Sequence, residues 1–169
     1  DLQESLNLES EFLGEISEAA DLRIDTSSLT EKDLRKLVVD RIVRAERKKM
    51  NLAIYSFGYK HGLPMDVDYI FDMRCLPNPY WLKNLRPLTG LDEPVINYLS
   101  SQKIVNEMIE DISLYLSKWI TFFEEQNRLY LTIAIGCTGG QHRSVYVAEQ
   151  VAQKLSTTLI RASTRHREL

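Results

Sequence analysis

Cysteine is nearly absent. Only Cys75 and Cys137 occur, too few for a disulfide framework, and together with three histidines they lack the paired spacing of a zinc site. Both read as thiols of a reducing cytoplasm. No apolar run approaches the roughly 20 residues that a spanning helix requires. The opening stretch, DLQESLNLES, has neither the basic nor the apolar region of a signal peptide, so neither a membrane protein nor an exported one is expected. Repeats and low-complexity segments are also missing. Neither sign of charge predominates: the net charge is −3, so any affinity for RNA must rest on local clusters of Arg and Lys. What is present is an ordinary globular composition, 44% hydrophobic and 27% charged over 169 residues, enough for one complete domain or for one domain with a piece of another. The chain opens at Asp1, in a stretch that reads as the interior of a longer protein, and a fragment is expected.

The hydrophobic pattern gives the order of elements. Leu22–Asp25 predicts a short strand. Ser28 with Glu31 three residues on forms a capping-box pattern before the helical run Leu34, Leu37, Val38, Arg41 and Ile42. The basic residues Arg41, Arg44, Arg47, Lys48 and Lys49 are interrupted by Asp40 and Glu46 and read as a solvated helix face, with a boundary near Lys48 to Met50. Asn51–Phe57 predicts a strand that enters the loop FGYKHG. Tyr69–Met73 predicts another, which runs into RCLPNPYW, where Pro77 and Pro79 forbid regular ladder pairing. Ile104, Met108, Ile112, Tyr115, Trp119 and Phe123 recur at helical spacing and read as core or as an oligomer interface. Leu131–Ile135 is an apolar strand, GCTGGQH a glycine-bearing loop, and Ser144, Ala148, Val151, Ala152 and Leu155 mark a helix. This order predicts an α/β layered fold, with a central, mostly parallel sheet flanked by helices.

The strand–loop–helix at Gly136–Ser144 carries the chemistry. Loop amides at the positive end of a helix dipole form an anion site, and Gly139 and Gly140 have no Cβ to block an oxyanion. Arg143 can supply a bidentate fork, and Thr138 or Ser144 a hydroxyl. The Walker pattern is absent, because no Lys follows the glycines. The spacing of Cys137, five residues, then Arg143 and Ser144 also matches the signature of cysteine-dependent phosphatases. In those enzymes a thiolate attacks phosphorus, and the leaving group is protonated by an acid, for which Asp68, Asp72 and Asp92 are candidates. A third reading is a tight structural turn, with Cys137 packed as a small hydrophobe and Arg143 paired to a core carboxylate. Cys75 lacks such surroundings and reads as a packed thiol.

The segments FGYKHGLPMDVDYIFDMRCLPNPYW, RPLTGLDEPV, YLTIAIGCTGGQHRSVYVAEQ and RHREL resemble the RapZ/YvcJ family of bacterial nucleotide-binding proteins, chiefly its C-terminal domain. The resemblance implies that residues 50–169 form a ligand- and RNA-binding domain. Residues 1–49 would be the closing strand and helix of an N-terminal kinase-like domain, or a linker. That first domain would bind and hydrolyse ATP or GTP with magnesium through a Walker loop lying upstream; no cofactor is expected in this fragment. The family also implies a cytoplasmic homo-oligomer whose enterobacterial members present a small regulatory RNA to an endoribonuclease and sense glucosamine-6-phosphate. By resemblance Cys137, Thr138, Gly139, Gly140, His142 and Arg143 contact the sugar phosphate, with Asp72, Arg74 and Asn127 nearby. One departure is Tyr80, where enterobacterial members carry histidine. For RNA, the residue types point to Arg161, Arg165, His166 and Arg167 in the terminal RASTRHREL and to Lys60 and His61 in FGYKHG, each also readable as solvated charge.

Overall fold

The computed structural model describes residues 2–20, 22–38, 41, 50–126, 128, 130–156 and 160–169. The elements in chain order are α1 (Leu2–Ala19), α2 (Glu31–Val38), β1 (Met50–Gly58), β2 (Tyr69–Asp72), α3 (Glu93–Ser100), α4 (Lys103–Glu125), β3 (Tyr130–Cys137), α5 (Arg143–Leu155) and β4 (Ile160–His166). No described helix is long and apolar enough to cross a membrane. The strands form one sheet of order β2-β3-β1-β4, and all three pairings are parallel, so the mostly parallel sheet expected from sequence is wholly parallel.

Position in the sheet explains each strand's composition. The two inner strands, β1 and β3, are covered on both faces and read as continuous apolar runs, MNLAIYSFG and YLTIAIGC. The outer strands, β2 and β4, alternate strictly between half-buried and exposed residues. One sheet face carries Leu52, Ile54, Leu131, Ile133 and Ile135, which join Val147, Val151 and Leu155 of α5 and Val105, Ile109, Ile112, Leu116 and Ile120 of α4 in one core. Each such side chain contributes roughly 1.5–3 kcal/mol through burial. Over β2, Tyr69 and Phe71 meet Tyr115 edge-on, and Tyr69 also meets Phe123.

Several expectations need correction. Leu22–Asp25 has no strand structure, and the capping box that starts α2 is Thr30 with Asp33, not Ser28 with Glu31. The Asp33 amide donates to Thr30 Oγ1 and the Thr30 amide to Asp33 Oδ2. Of the α4 stripe read from sequence, Ile112 is buried and Met108 and Phe123 pack against the core, whereas Ile104, Tyr115 and Trp119 are 50%, 43% and 38% exposed. Three elements were not anticipated: α1, α3 and β4. Residues 42–49, with Arg44, Arg47, Lys48 and Lys49, lie outside the described residues.

Candidate functional site

In a parallel sheet every strand delivers its C-terminal end to the same edge, where ligands bind in open α/β folds. Here that edge gathers Gly58 of β1, Asp72 of β2, Cys137 of β3 and His166 of β4. The loop after β3 is seated on its neighbours. The Lys60 amide donates to Thr138 O at 3.2 Å, the Gly90 amide to Gln141 O at 2.8 Å, and the Met73 amide to Gly136 O at 2.7 Å. Two glycines outside the loop make that seating possible. A Cβ on Gly58 would lie 2.7 Å from the carbonyl carbon of Gly139, and one on Gly90 would lie 2.4 Å from the carbonyl oxygen of His142. Gly140 has φ 76°, a conformation that favours glycine.

Inside the loop the polar groups are buried and directed. Cys137 is 3% exposed, and its Sγ takes the Gly140 N–H at 3.3 Å and lies 3.2 Å from Ser144 Oγ. His142 is buried with Nε2 3.1 Å from Leu85 O. Arg143 is only 4% exposed. Its Nη1 donates to the carbonyls of Arg74 and Leu76, both at 3.0 Å, and its Nη2 to Thr138 Oγ1 at 3.3 Å. Its Nε is buried with no partner. Arg143 therefore does two things: it buttresses the loop after β2 and keeps an N–H in reserve. The core carboxylate suggested for it is not its partner. Helix α5, which begins at Arg143, has no side-chain cap, so the donors of its first turn are left to a ligand or solvent.

Asp72 and Arg74 stand at the same edge as a closed pair. Arg74 donates its backbone amide, Nε and Nη2 to the Asp72 carboxylate and lies 4.0 Å over the Tyr59 ring. Those hydrogen bonds hold the Asp72 carboxyl below its ordinary value, and the same carboxylate raises Arg74. Burial pushes the Tyr59 phenol up. Tyr80, on the loop that Arg143 buttresses, is 47% exposed, with the Arg86 guanidinium 4.7 Å over its ring. Asn127 lies outside the described residues.

The basic residues divide. Lys60 comes to the anion loop itself: a Cβ on Gly139 would find Lys60 Nζ at 3.8 Å. Arg167 donates to the carbonyls of His61 and Gly62, which joins the end of β4 to the turn after β1. Arg161 and Arg165 are exposed on the outward face of β4. His166 points the other way, with Nδ1 2.9 Å from Ser56 Oγ and Nε2 3.1 Å from Glu149 Oε1. Cys75, read as a packed thiol, is exposed. Sequence reasoning passed over Glu168, whose carboxylate packs against Gly140. Its only signal was a charged residue ending a period-two run.

Residues 50–169 match the profile of the RapZ C-terminal domain. The chain is 51% identical over 168 residues to a nucleotide-binding protein of Nitrosococcus oceani, a match covering 99% of this chain and 60% of that protein. It is 49% identical over 168 residues to a nucleotide-binding protein of Pseudomonas putida, covering 99% and 59%, and 50% identical to one of Pseudoalteromonas atlantica, covering 99% and 60%. The chain thus spans about three-fifths of the length of these curated relatives. The chain belongs to the RapZ family, and residues 50–169 are the part that matches its C-terminal domain.

Proposed function

We propose that residues 50–169 bind a phosphorylated amino sugar of the glucosamine-6-phosphate type at Gly136–Ser144, and that they serve as the RNA-binding adaptor part of a nucleotide-binding regulatory protein of the bacterial cytoplasm. The observation that carries the ligand reading is Arg143: a guanidinium 4% exposed, fixed by two carbonyls, with Nε unpartnered at the uncapped start of α5. A phosphate seated there would meet helix N–H groups, Arg143 and the Lys60 ammonium, with no bond broken. For RNA, support comes from Lys60, His61 and Arg167 gathered beside the loop and from Arg161 and Arg165 along β4; phosphate-backbone contacts of this kind weaken steeply with salt. An endoribonuclease and further copies of the chain are the protein partners of this reading. Nucleotide binding, part of the relatives' names, belongs in this proposal to residues outside the chain. The loop lacks the Walker lysine, and the described residues include no cluster able to hold a metal ion.

The position of Cys137 favours one second reading, a cysteine-dependent phosphatase, because the sulfur sits at the base of the loop among an amide and a hydroxyl. Its acid is the difficulty. Asp72 is held by Arg74, Asp92 by the amide and hydroxyl of Thr89, and Asp68 by Arg128 and the Thr132 amide. A Cys137→Ser variant separates the readings: it abolishes turnover of a phosphatase and leaves ligand binding by a sensor in place.

The direct test is the thermal midpoint of this chain with glucosamine-6-phosphate, glucosamine, inorganic phosphate and nucleotides, for wild type and Arg143→Ala, each against its own ligand-free midpoint. At 100 times Kd a ligand stabilises by about 2.7 kcal/mol, or roughly 5–10 °C for a chain of this size. A shift with the phosphosugar that vanishes in the variant supports the proposal. No shift with any phosphorylated ligand sinks it and favours a structural loop.

A further inference from the structure

Glu168 follows the end of β4, and its carboxylate presses on the anion loop. The side chain is 9% exposed, and neither oxygen has a hydrogen-bond partner. A Cβ on Gly140 would stand 2.3 Å from Oε2, so the glycine is what makes room for the acid. Arg167 Nε is 3.8 Å from Oε1, too far to donate, and its terminal nitrogens are engaged by the carbonyls of His61 and Gly62. A buried carboxylate that accepts nothing is costly, and its persistence calls for an explanation such as a missing donor.

The surroundings define that donor. Beside Glu168 the loop seeks an anion, through the uncapped start of α5, the reserved Arg143 Nε and the Lys60 ammonium near Gly139. An acid set into such a loop suits a ligand with two ends, a phosphate for the loop and an N–H cation for the carboxylate. Asp72, the carboxylate that the sequence brings to this edge, already accepts three N–H groups of Arg74 and has little capacity left. We propose that Glu168 is a specificity-determining residue which accepts the ammonium group of a ligand whose phosphate is held by the loop, selecting a phosphorylated amine over the same phosphate ester without the amine. The torsions of a glutamate let the carboxylate turn from Gly140 to a ligand seated on the loop.

This rests on the phosphate reading above, and the experiment separates the two. Binding of glucosamine-6-phosphate, glucose-6-phosphate and inorganic phosphate is measured by calorimetry on the whole chain, for wild type, Glu168→Gln and Glu168→Ala. Wild type is expected to prefer the amine by on the order of tenfold, the yield of one charge-assisted hydrogen bond. In both variants the preference falls to within about threefold. Ligand-free Glu168→Gln should melt no lower than wild type, since it removes a buried charge that faces Arg167 Nε at 3.8 Å but accepts no hydrogen bond. Equal binding of both sugar phosphates by wild type, or a wild-type preference surviving in both variants, overturns the role of Glu168 and leaves the phosphate site standing. Failure of wild type to bind any of the three overturns both.

Discussion

A methyl group added at Gly58 sets two effects against each other. Gly58 has φ −104° and ψ 122°, a conformation open to any residue, so backbone strain does not enter. Replacing glycine by alanine at such a position stabilises by about 0.4–1 kcal/mol through the unfolded chain. Against this, the new Cβ would lie 2.7 Å from the carbonyl carbon of Gly139 and 2.9 Å from the Gly140 nitrogen, where contacts of about 3.5 Å are normal. Both are backbone atoms of a loop tied down through Thr138 O, Gln141 O and Gly140 N, so they cannot yield as a side chain would. Overpacking of this kind costs about 1–3 kcal/mol. Sterics should win: Gly58→Ala is expected to lose about 1 kcal/mol net, a fall of roughly 2–4 °C in the midpoint, together with phosphate binding. Gly139→Ala is the internal contrast. Its Cβ would meet only Lys60 Cε and Nζ at 3.8 Å, so stability should be unchanged or rise by up to about 1 kcal/mol. The methyl would nevertheless stand between Lys60 and the loop and weaken phosphate binding. Urea denaturation and phosphosugar titration of both variants check this. A Gly58→Ala protein as stable as wild type, or a Gly139→Ala protein clearly less stable, would refute the account of how the loop is seated.

Arg143→Ala removes the donor to two carbonyls, of Arg74 and Leu76, and should cost about 2–4 kcal/mol of stability even without ligand; a ligand-free midpoint equal to wild type would show that those contacts are not made. Asp72 and Asp92 are both held below their ordinary value of 3.8, Asp72 chiefly by the Arg74 side chain and Asp92 by the Thr89 amide. The folded state therefore binds fewer protons, and the stability these groups supply is complete above the unfolded value and lost as pH falls through the folded one, below about pH 4. Denaturation midpoints at pH 3 and pH 6 should differ less in Asp72→Asn than in wild type; an unchanged difference counts against the pair. Thr30→Ala breaks the box that starts α2, an element with no buried residue, so amide exchange should quicken across α2. The global midpoint should move by less than about 0.5 kcal/mol.

What was legible in the sequence follows the strength of its physical signals. β1 and β3 were readable because burial on both faces leaves largely apolar runs, α5 because its apolar residues recur at helical spacing, and the loop between β3 and α5 because glycine, hydroxyl and arginine rarely coincide without purpose. β4 was missed because an edge strand needs only one buried face: Ile160, Ala162, Thr164 and His166 turn inward while Arg161, Ser163 and Arg165 turn out, and the charges hide the period of two. The buried stripe of α4 lies beside the one expected because the aliphatics Val105, Ile109, Leu116 and Ile120 fill the core, while Met108, Tyr115 and Phe123 pack along its margin and over β2. At the site, chain order gave no hint that Gly58 and Gly90 hold the loop or that Glu168 reaches Gly140, because those contacts exist only once parallel strands bring their ends to one edge. The residues of a site that share one loop are open to sequence reasoning. Those that meet across the sheet edge are set by register, and the shift of one residue in β4 that would turn Arg165 inward would carry Glu168 away from the loop.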